Sequence, residues 1–284
     1  MLVLYYIYGI ALPLVTLIST AFYIRIIYVF VKKPKYRSHE CYQIMIQIGF
    51  VQCLMCPGFV LLGVRKLFTL GYVVILCNKM VVNAARTEIL LSFILALNRL
   101  KIMANLRYSN KVHKILLCCA WLFGLFYSAL FYSPWAEFEV TEAGYVGRFD
   151  LTYPLSYMLF RIGSYEMLSA TVATLSVYIV LVLFMIHQKL KLKLQVVKSI
   201  VKEKSVLFFA ILKFTCDGTL AVLYHFGSYF LPDDPLVEFV LGFAYVINFL
   251  CLPPCLNLVL SRSLRKEVFG LAPSVFIQTG IVPS

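Results

Sequence analysis

Seven long apolar runs dominate this sequence and determine the solvent in which it can fold. An α-helix rises about 1.5 Å per residue, so about 20 apolar residues are needed to cross a hydrocarbon core about 30 Å thick. The runs, called spans 1 to 7 below, cover residues 2–31, 42–64, 72–98, 114–133, 160–187, 206–230 and 236–260. Each run is longer than the roughly 9–11 residues of a membrane strand, and none alternates polar with apolar residues. We therefore predict an all-α integral membrane protein in which residues 1–284 form a single seven-transmembrane helix bundle.

The composition also indicates lipid as the solvent. Hydrophobic residues make up 62% of the chain and charged residues 14%, against about 45–50% and about 25% in globular domains. The surface of a soluble monomer of this size needs more ionisable side chains than 26 Lys and Arg plus 13 Asp and Glu. These proportions exclude a soluble enzyme and a soluble nucleic-acid-binding protein. Membrane lipids are then constant partners of the chain.

Basic residues collect in alternate connections between the spans. The connections after spans 1, 3 and 5 and the segment after span 7 hold eighteen of the 26 Lys and Arg residues. The remaining connections hold only Arg65, Lys66 and Arg148, together with six acidic residues. By the positive-inside rule the basic side faces the cytoplasm, which places the N-terminus outside and the C-terminus inside. Attraction to an anionic inner leaflet explains the net charge of +13, so we expect no nucleic-acid partner.

The cysteines and histidines form no recognisable site. Cys77 is the only one of the nine cysteines near the outer side, and the long outer connection between spans 4 and 5 has no cysteine to pair with it. The Cys53-x-x-Cys56 spacing lies inside a span, where packing of small apolar side chains is its simplest interpretation. The four histidines have no ligand spacing. We expect no disulfide, metal or cofactor.

Four charged residues stand at similar depths in spans 3 and 6. Arg86 and Asp217 each lie thirteen residues from the charged inner boundary, about 20 Å up, and Glu88 and Lys213 lie eleven and nine residues from it. Charges in a bilayer are costly and usually face a bundle interior. We predict a polar latch between spans 3 and 6, formed by Arg86 with Asp217, by Glu88 with Lys213, or by both. The alternative is a purely structural pair.

A second group of polar residues lies near the outer ends of spans 3 and 5. Lys79 and Asn83 are one helical turn apart, and Arg161, Tyr165 and Glu166 begin span 5. We take these five residues as candidate ligand-binding residues around a cavity open to the outside. The alternative is that Lys79 and Arg161 are interfacial side chains that extend toward water.

Two short motifs carry a family resemblance. Span 3 ends in Asn98-Arg99-Leu100, and span 7 ends in Pro253-Pro254-Cys255-Leu256-Asn257, followed by a basic stretch at 262–269. With seven spans and an outside N-terminus, the chain resembles a rhodopsin-like G-protein-coupled receptor. More narrowly, it resembles the nematode serpentine chemoreceptors of the class T or class X type, in which a Leu-Asn-Arg sequence commonly ends this helix. Arg99 and Pro254 match the family pattern, whereas Asn98, Leu100, Pro253 and Asn257 depart from it, and span 2 has no aspartate.

The resemblance implies a function and several partners. A chemosensory receptor of this family binds an extracellular small molecule and activates a heterotrimeric G protein, which would contact Asn98, Arg99 and Leu100. The stretch 262–269 would form the short amphipathic helix 8 on the inner leaflet. The protein would be a multi-pass protein of the plasma membrane, in a sensory cilium, and would have no catalytic residues and no enzymatic activity.

Other membrane classes remain open at this point. A small multi-span transporter would use the intramembrane Arg, Lys, Glu and Asp residues as a substrate or proton path, although the halves of the chain show no repeat. A membrane enzyme would need clustered His or carboxylate groups at one interface. A seven-helix insect-type odorant channel would place its N-terminus inside, so an epitope tag at the N-terminus, tested on intact cells, separates it from a receptor.

Overall fold

The computed structural model describes residues 2–68, 70–109, 111–140, 145–191, 211–223, 232 and 234–270. In these residues the helices are Leu2–Lys32, Pro34–Arg37, Glu40–Leu54, Cys56–Val64, Val73–Met103, Lys111–Phe131, Pro154–Lys191, 211–223, Pro235–Val246, Leu252–Leu260 and Arg262–Val268, and a π-helical turn covers Ile247–Cys251. Six described helical segments are long and apolar enough to cross a membrane, and they correspond to spans 1, 2, 3, 4, 5 and 7. The helix at 211–223 is the described part of span 6, whose remainder lies outside the described residues. The chain is thus a helical membrane bundle, and its ends are named here by the expected orientation, with the connection between spans 4 and 5 at the outer end.

Prolines interrupt spans 2 and 7. Span 2 breaks at Met55, between the helices Glu40–Leu54 and Cys56–Val64, because Pro57 has no N–H and its ring clashes with the carbonyl four residues earlier. Span 7 widens into the turn Ile247–Cys251 just before Pro253 and Pro254. Asn248 lies within that turn and is 3% exposed. The break in span 7 therefore accompanies a buried polar side chain at mid-span.

The bundle has a packed interior and an apolar exterior. Tyr8, Leu12, Leu91 and Phe131 belong to one buried cluster that joins spans 1, 2, 3, 4 and 7. Large apolar side chains also cover the outside, where Leu125 is 63% exposed. In water such a surface would drive aggregation, whereas lipid solvates it.

The basic stretch after span 7 forms a short helix, Arg262–Val268, beside the inner end of span 1. The Ser261 hydroxyl caps it by accepting a hydrogen bond from the Leu264 amide at 3.2 Å. Leu264 and Val268 are buried against Tyr23, Ile26 and neighbouring residues of span 1. The apolar face of the helix is thereby covered by the bundle, as an amphipathic segment requires.

Candidate functional site

A short hairpin covers the outer end of the bundle. Its strands Phe138–Glu139 and Arg148–Phe149 pair antiparallel, with Phe138 opposite Phe149. Both phenylalanines are buried, and the Phe149 ring stacks on Phe131 of span 4 with 4.9 Å between centroids. We call this element, at residues 132–140 and 145–153, the outer hairpin.

Hydrogen bonds and ring contacts attach the outer hairpin to spans 1 and 7. The Tyr8 hydroxyl donates to the Tyr145 carbonyl at 2.7 Å, and the Tyr145 amide donates to a Glu238 carboxylate oxygen at 2.9 Å. Lys66, just after span 2, lies over the rings of Tyr5 and Tyr145 at 4.5 and 4.2 Å. The nine cysteines carry free thiols, so these contacts hold the hairpin without a disulfide.

Lys66 makes the stability of the outer hairpin depend on pH. Burial lowers its pKa from the ordinary 10.5 to about 8, with the positive charge of Arg65 acting in the same direction. Between about pH 8 and 10.5 the folded state therefore releases a proton that the unfolded chain keeps, so stability rises with pH in this window.

We expect the thermal unfolding midpoint of the solubilised protein to rise between pH 7.5 and 9.5 more in the native chain than in Lys66→Met. Lys114→Met, at an exposed position, is the control, and equal slopes for the native chain and Lys66→Met would contradict the assignment.

The larger of two neighbouring cavities, called the outer cavity below, lies beneath the outer hairpin and has a volume of about 110 Å³. Spans 2, 3, 5, 6 and 7 and the hairpin residues Phe138, Val146 and Gly147 form its wall. Most of the wall is apolar; the polar side chains on it are Asn78, Arg86, Asp217, Tyr245 and Asn248. This combination of an apolar enclosure with a few polar groups is typical of small-molecule sites.

A layer of charged and polar side chains forms the inner boundary of this cavity. Lys213 Nζ lies 3.6 Å from Glu88 Oε1 and donates to Asp217 Oδ1. The Asn248 amide donates to the same Asp217 oxygen at 2.6 Å. Glu88, Lys213, Asp217 and Asn248, called the polar layer below, therefore connect spans 3, 6 and 7. Of the two pairings predicted from depth, the structure contains the one between Glu88 and Lys213.

Hydrogen bonds extend the polar layer to spans 1 and 2. Glu88 Oε1 accepts from Gln52 Nε2 at 3.1 Å and from Ser92 Oγ at 3.0 Å. The Tyr23 hydroxyl donates to Gln52 Oε1 at 2.6 Å. Five spans thus meet through one connected set of polar groups, which is a costly arrangement in lipid unless its members remain paired.

A smaller cavity of about 60 Å³, called the inner cavity below, lies on the inner side of the polar layer. Arg99 and Tyr178 line it, together with Lys213 and Asp217. Asp217 also lines the larger cavity, as does Ile89. Among the described residues, the polar layer and its apolar neighbours separate the outer cavity from the arginine at the inner end of span 3.

Arg86 has a different partner from the one predicted by depth. Its Nη1 lies 3.7 Å from Glu166 Oε2 on span 5, and its guanidinium lies over the Tyr127 ring at 4.9 Å. Gly163 leaves space for the guanidinium between spans 3 and 5, because a Cβ at that position would lie 1.8 Å from Arg86 Cζ. Among the described residues no ion pair joins Arg86 to Asp217. The expected pairing is corrected accordingly: both side chains line the outer cavity, but the rotation of span 3 turns the guanidinium toward span 5.

The five candidate ligand-binding residues occupy different environments. Lys79 is 1% exposed, and its Nζ donates to the carbonyls of Phe131 and Ala136 at 3.0 and 2.8 Å. Arg161 and Tyr165 are exposed and bonded to each other at 2.9 Å, while Glu166 is turned about 100° onto the buried face of the same helix. Asn83 has a buried Oδ1 without a hydrogen-bond partner. The structure thus does not gather the five around one space, and none of them is on the wall of the larger cavity.

The predicted coupling motif lies at the inner end of span 3. Asn98 is buried and donates to Glu40 Oε2 of span 2 at 2.8 Å. His113 Nδ1 lies 3.3 Å from the same carboxylate oxygen, and its Nε2 is 3.0 Å from the Tyr108 hydroxyl. Glu40 therefore connects span 2 to span 3 and to the inner end of the helix Lys111–Phe131, which contains span 4. Arg99 lines the smaller cavity, and Leu100 is half-buried.

The span 7 motif has two buried prolines and a helix end. Pro253 and Pro254 follow the π-helical turn. The Asn257 carbonyl accepts a hydrogen bond from the Ser261 amide at 3.2 Å, where the span ends. Asn257 thus acts here through its backbone.

Asn248, Glu40 and His113 are not among the site residues predicted from the sequence. Asn248 is a polar residue inside an apolar run, which is a usable signal on its own. Glu40 and His113 lie just outside the predicted spans, in segments that read as ordinary charged connections. Within the described residues, no three His, Cys, Asp or Glu side chains lie close enough together to hold a metal ion.

These features define a helical membrane bundle with a covered outer cavity and an inner cavity beneath a polar layer. The chain is similar in structure to squid rhodopsin, with a TM-score of 0.70 over 95% of this chain and 86% of that chain. The two sequences are 14% identical, so the likeness shows the seven-transmembrane fold and nothing finer. No family model matches the sequence, and no curated protein matches it.

Proposed function

We propose that the chain is a G-protein-coupled chemosensory receptor of the nematode serpentine kind. It binds an extracellular small molecule in the outer cavity and activates a heterotrimeric G protein through its inner face. The seven-transmembrane fold shared with squid rhodopsin and the Asn98-Arg99-Leu100 motif support this proposal. By this proposal the protein is located in the plasma membrane, in a sensory cilium.

One observation carries the proposal: the outer and inner cavities meet at the polar layer. Asp217 lines both cavities and is bonded to Lys213 and Asn248. A ligand that contacts Asp217 from the outer side therefore changes the surroundings of a residue on the wall that carries Arg99. This contiguity gives a physical route between a ligand and the inner face.

The polar layer is suited to act as a two-state element. The ion pair between Glu88 and Lys213 joins spans 3 and 6, so an outward movement of span 6 must break it. A ligand shifts such an equilibrium only by its differential affinity for the two arrangements. The contact between Glu88 and Lys213 keeps the unliganded bundle closed, and a ligand in the outer cavity favours the open arrangement of the bundle.

Arg99→Ala tests the inner half of this proposal. We expect G-protein activation to fall by at least about tenfold, which corresponds to about 1.4 kcal/mol, because the inner cavity loses the guanidinium at the inner end of span 3. Surface delivery, measured with an extracellular N-terminal tag on intact cells, should stay unchanged. Arg107→Ala, at an exposed position in the following connection, is the matched control. Unchanged signalling in Arg99→Ala would remove Arg99 from the mechanism.

A ligand screen tests the proposal as a whole. Cells expressing the full chain are exposed to small organic compounds, with calcium and cAMP as readouts of heterotrimeric G proteins. A response that disappears when the G protein is inhibited supports the receptor function. Ligand-gated current that persists without G protein would instead indicate a channel, and concentrative uptake would indicate a transporter.

A further inference from the structure

The outer cavity contains a guanidinium of which two nitrogens lack a hydrogen-bond acceptor. Arg86 lines the cavity and is 4% exposed, and its Nε and Nη1 have no hydrogen-bond partner. The Glu166 carboxylate is 3.7 Å away, beyond hydrogen-bonding distance. A guanidinium has five N–H donors and stays charged, so burying it without acceptors is costly. A ligand that supplies acceptors would remove that cost.

The donors and the carboxylate among the other polar groups on the cavity wall are already engaged, and only the neutral Asn248 Oδ1 among the described wall atoms is a buried acceptor without a partner. The Asn78 amide donates to the Val74 carbonyl at 2.9 Å, and the Asn248 amide donates to Asp217. Asp217 also accepts from Lys213. A cationic ligand would have to displace Lys213 from Asp217, whereas an anionic ligand finds unpaired donors on Arg86.

We infer that the outer cavity binds an organic acid, whose carboxylate pairs with Arg86 while its apolar body packs among Phe59, Phe138 and Phe249. This inference rests on the proposed function, because it takes the outer cavity to be the ligand site. Arginine is suited to this role because its planar fork matches both oxygens of a carboxylate. The aromatic part of the wall favours a ligand with an alkyl or aryl body.

Binding of the acid anion is coupled to the uptake of one proton by the protein. Arg86, Lys213, Glu88, Asp217 and Glu166 already place three carboxyl groups beside two basic groups in the bundle. A ligand carboxylate adds a further negative charge next to Glu166. The net charge of the group returns to its value before binding when Glu166 takes one proton from water, so that the ligand anion replaces Glu166 as the counter-ion of Arg86.

The surroundings of Glu166 support this assignment. The described titratable groups that interact with it are Arg86 on span 3 and Tyr127 on span 4. Both of its carboxylate oxygens are buried without a hydrogen-bond partner. Glu88 and Asp217, by contrast, each accept hydrogen bonds within the polar layer. Glu166 is therefore the carboxyl group that loses least by taking up a proton.

Binding to the purified full-length chain tests the inference without any G protein. The probes are hexanoic acid and 3-phenylpropanoic acid, each compared with the primary alcohol of the same carbon skeleton. Ligand-dependent shifts of the thermal unfolding midpoint give apparent affinities at pH 6, 7 and 8. These acids, with ordinary pKa values of about 4 to 5, stay ionised throughout this range. We expect the acids to bind and the alcohols to bind at least about tenfold more weakly, with acid affinity falling up to about tenfold per pH unit.

Variants at the two partners sharpen the test. Arg86→Gln should weaken the acids at least about tenfold with little effect on the alcohols, and Arg86→Lys should lie between Arg86→Gln and the native chain. Glu166→Gln should bind the acids with an affinity independent of pH. Arg107→Gln is the control at an exposed arginine. The comparison of acid with alcohol on the native chain needs no variant, so it stands even where Arg86→Gln fails to fold.

Several results would overturn the inference. These are equal binding of acids and alcohols, tighter binding of hexylamine than of hexanoic acid, and full midpoint shifts with chloride or phosphate alone. Acid binding without any G-protein response would leave the inference standing and remove the receptor function. A G-protein response to alcohols but not to acids would overturn the inference and leave the receptor function standing.

Discussion

Replacing Lys213 with methionine is expected to destabilise the protein by about 3–5 kcal/mol, the usual cost of removing one partner from a buried ion pair. Lys213 is the cation between Glu88 and Asp217, and its side chain is 11% exposed. Without it, two carboxylates remain in a low-dielectric interior with no counter-charge. Thermal unfolding in detergent, together with the yield of folded protein, measures the loss.

A compensated variant separates charge from packing at the same position. Lys213→Met combined with Glu88→Gln and Asp217→Asn should recover most of the lost stability, because a neutral set of hydrogen-bonded groups needs no counter-ion. Lys114→Met, at an exposed lysine near the inner end of span 4, should change stability by less than about 0.5 kcal/mol. A Lys213→Met protein within about 1 kcal/mol of the native chain would show that the polar layer is not an ion-pair network.

Replacing Gly163 with alanine is expected to cost about 2–4 kcal/mol, which is large for the addition of one methyl group. The new Cβ would lie 1.8 Å from both Cζ and Nη1 of Arg86, so the guanidinium must leave its place between spans 3 and 5. That movement separates Arg86 from Glu166 and from the face of Tyr127. The expected result is a lower unfolding midpoint and, if Arg86 holds the carboxylate of an organic acid as inferred above, a loss of acid binding.

A double-mutant cycle attributes the effect to Arg86. In an Arg86→Met background, Gly163→Ala should cost less than about 1 kcal/mol, because the clash and the ion pair are both absent. Gly218→Ala in span 6 is the matched control, since its Cβ would have only the Thr171 methyl nearby, at 3.9 Å. Equal costs of Gly163→Ala in the native and Arg86→Met backgrounds would mean that the glycine serves helix packing alone.

Much of the fold could be predicted from the sequence because it depends on local properties. Span 5, expected at 160–187, lies within the helix Pro154–Lys191, and span 3, expected at 72–98, lies almost entirely within Val73–Met103. Apolar length alone identifies such segments, since lipid leaves the backbone no other partners. Breaks within spans were not foreseen, although Pro57 and the pair Pro253–Pro254 mark them.

The candidate site was less predictable, because its residues lie on different helices. Counting residues from a boundary gives depth along a helix, and this was enough to suggest that Glu88 and Lys213 stand at one level. It does not give rotation about the axis, which changes by about 100° per residue. The rotation of span 3 about its axis directs Arg86 toward Glu166. The rotation of span 5 places Arg161 and Tyr165 on the outside of the bundle, where they form a hydrogen bond with each other.

The sequence by itself determined the solvent of this protein, the number and depth of its apolar runs, and the side of the membrane on which its basic residues are expected. These properties are sums over neighbouring residues, so they need no knowledge of which helices touch. Tertiary structure decided which charges meet, where the outer cavity lies, and that Asp217 stands between the outer cavity and the cavity of Arg99. Such contacts depend on the rotation and lateral order of the helices, which packing sets at positions such as Gly163 and which no count along the chain contains.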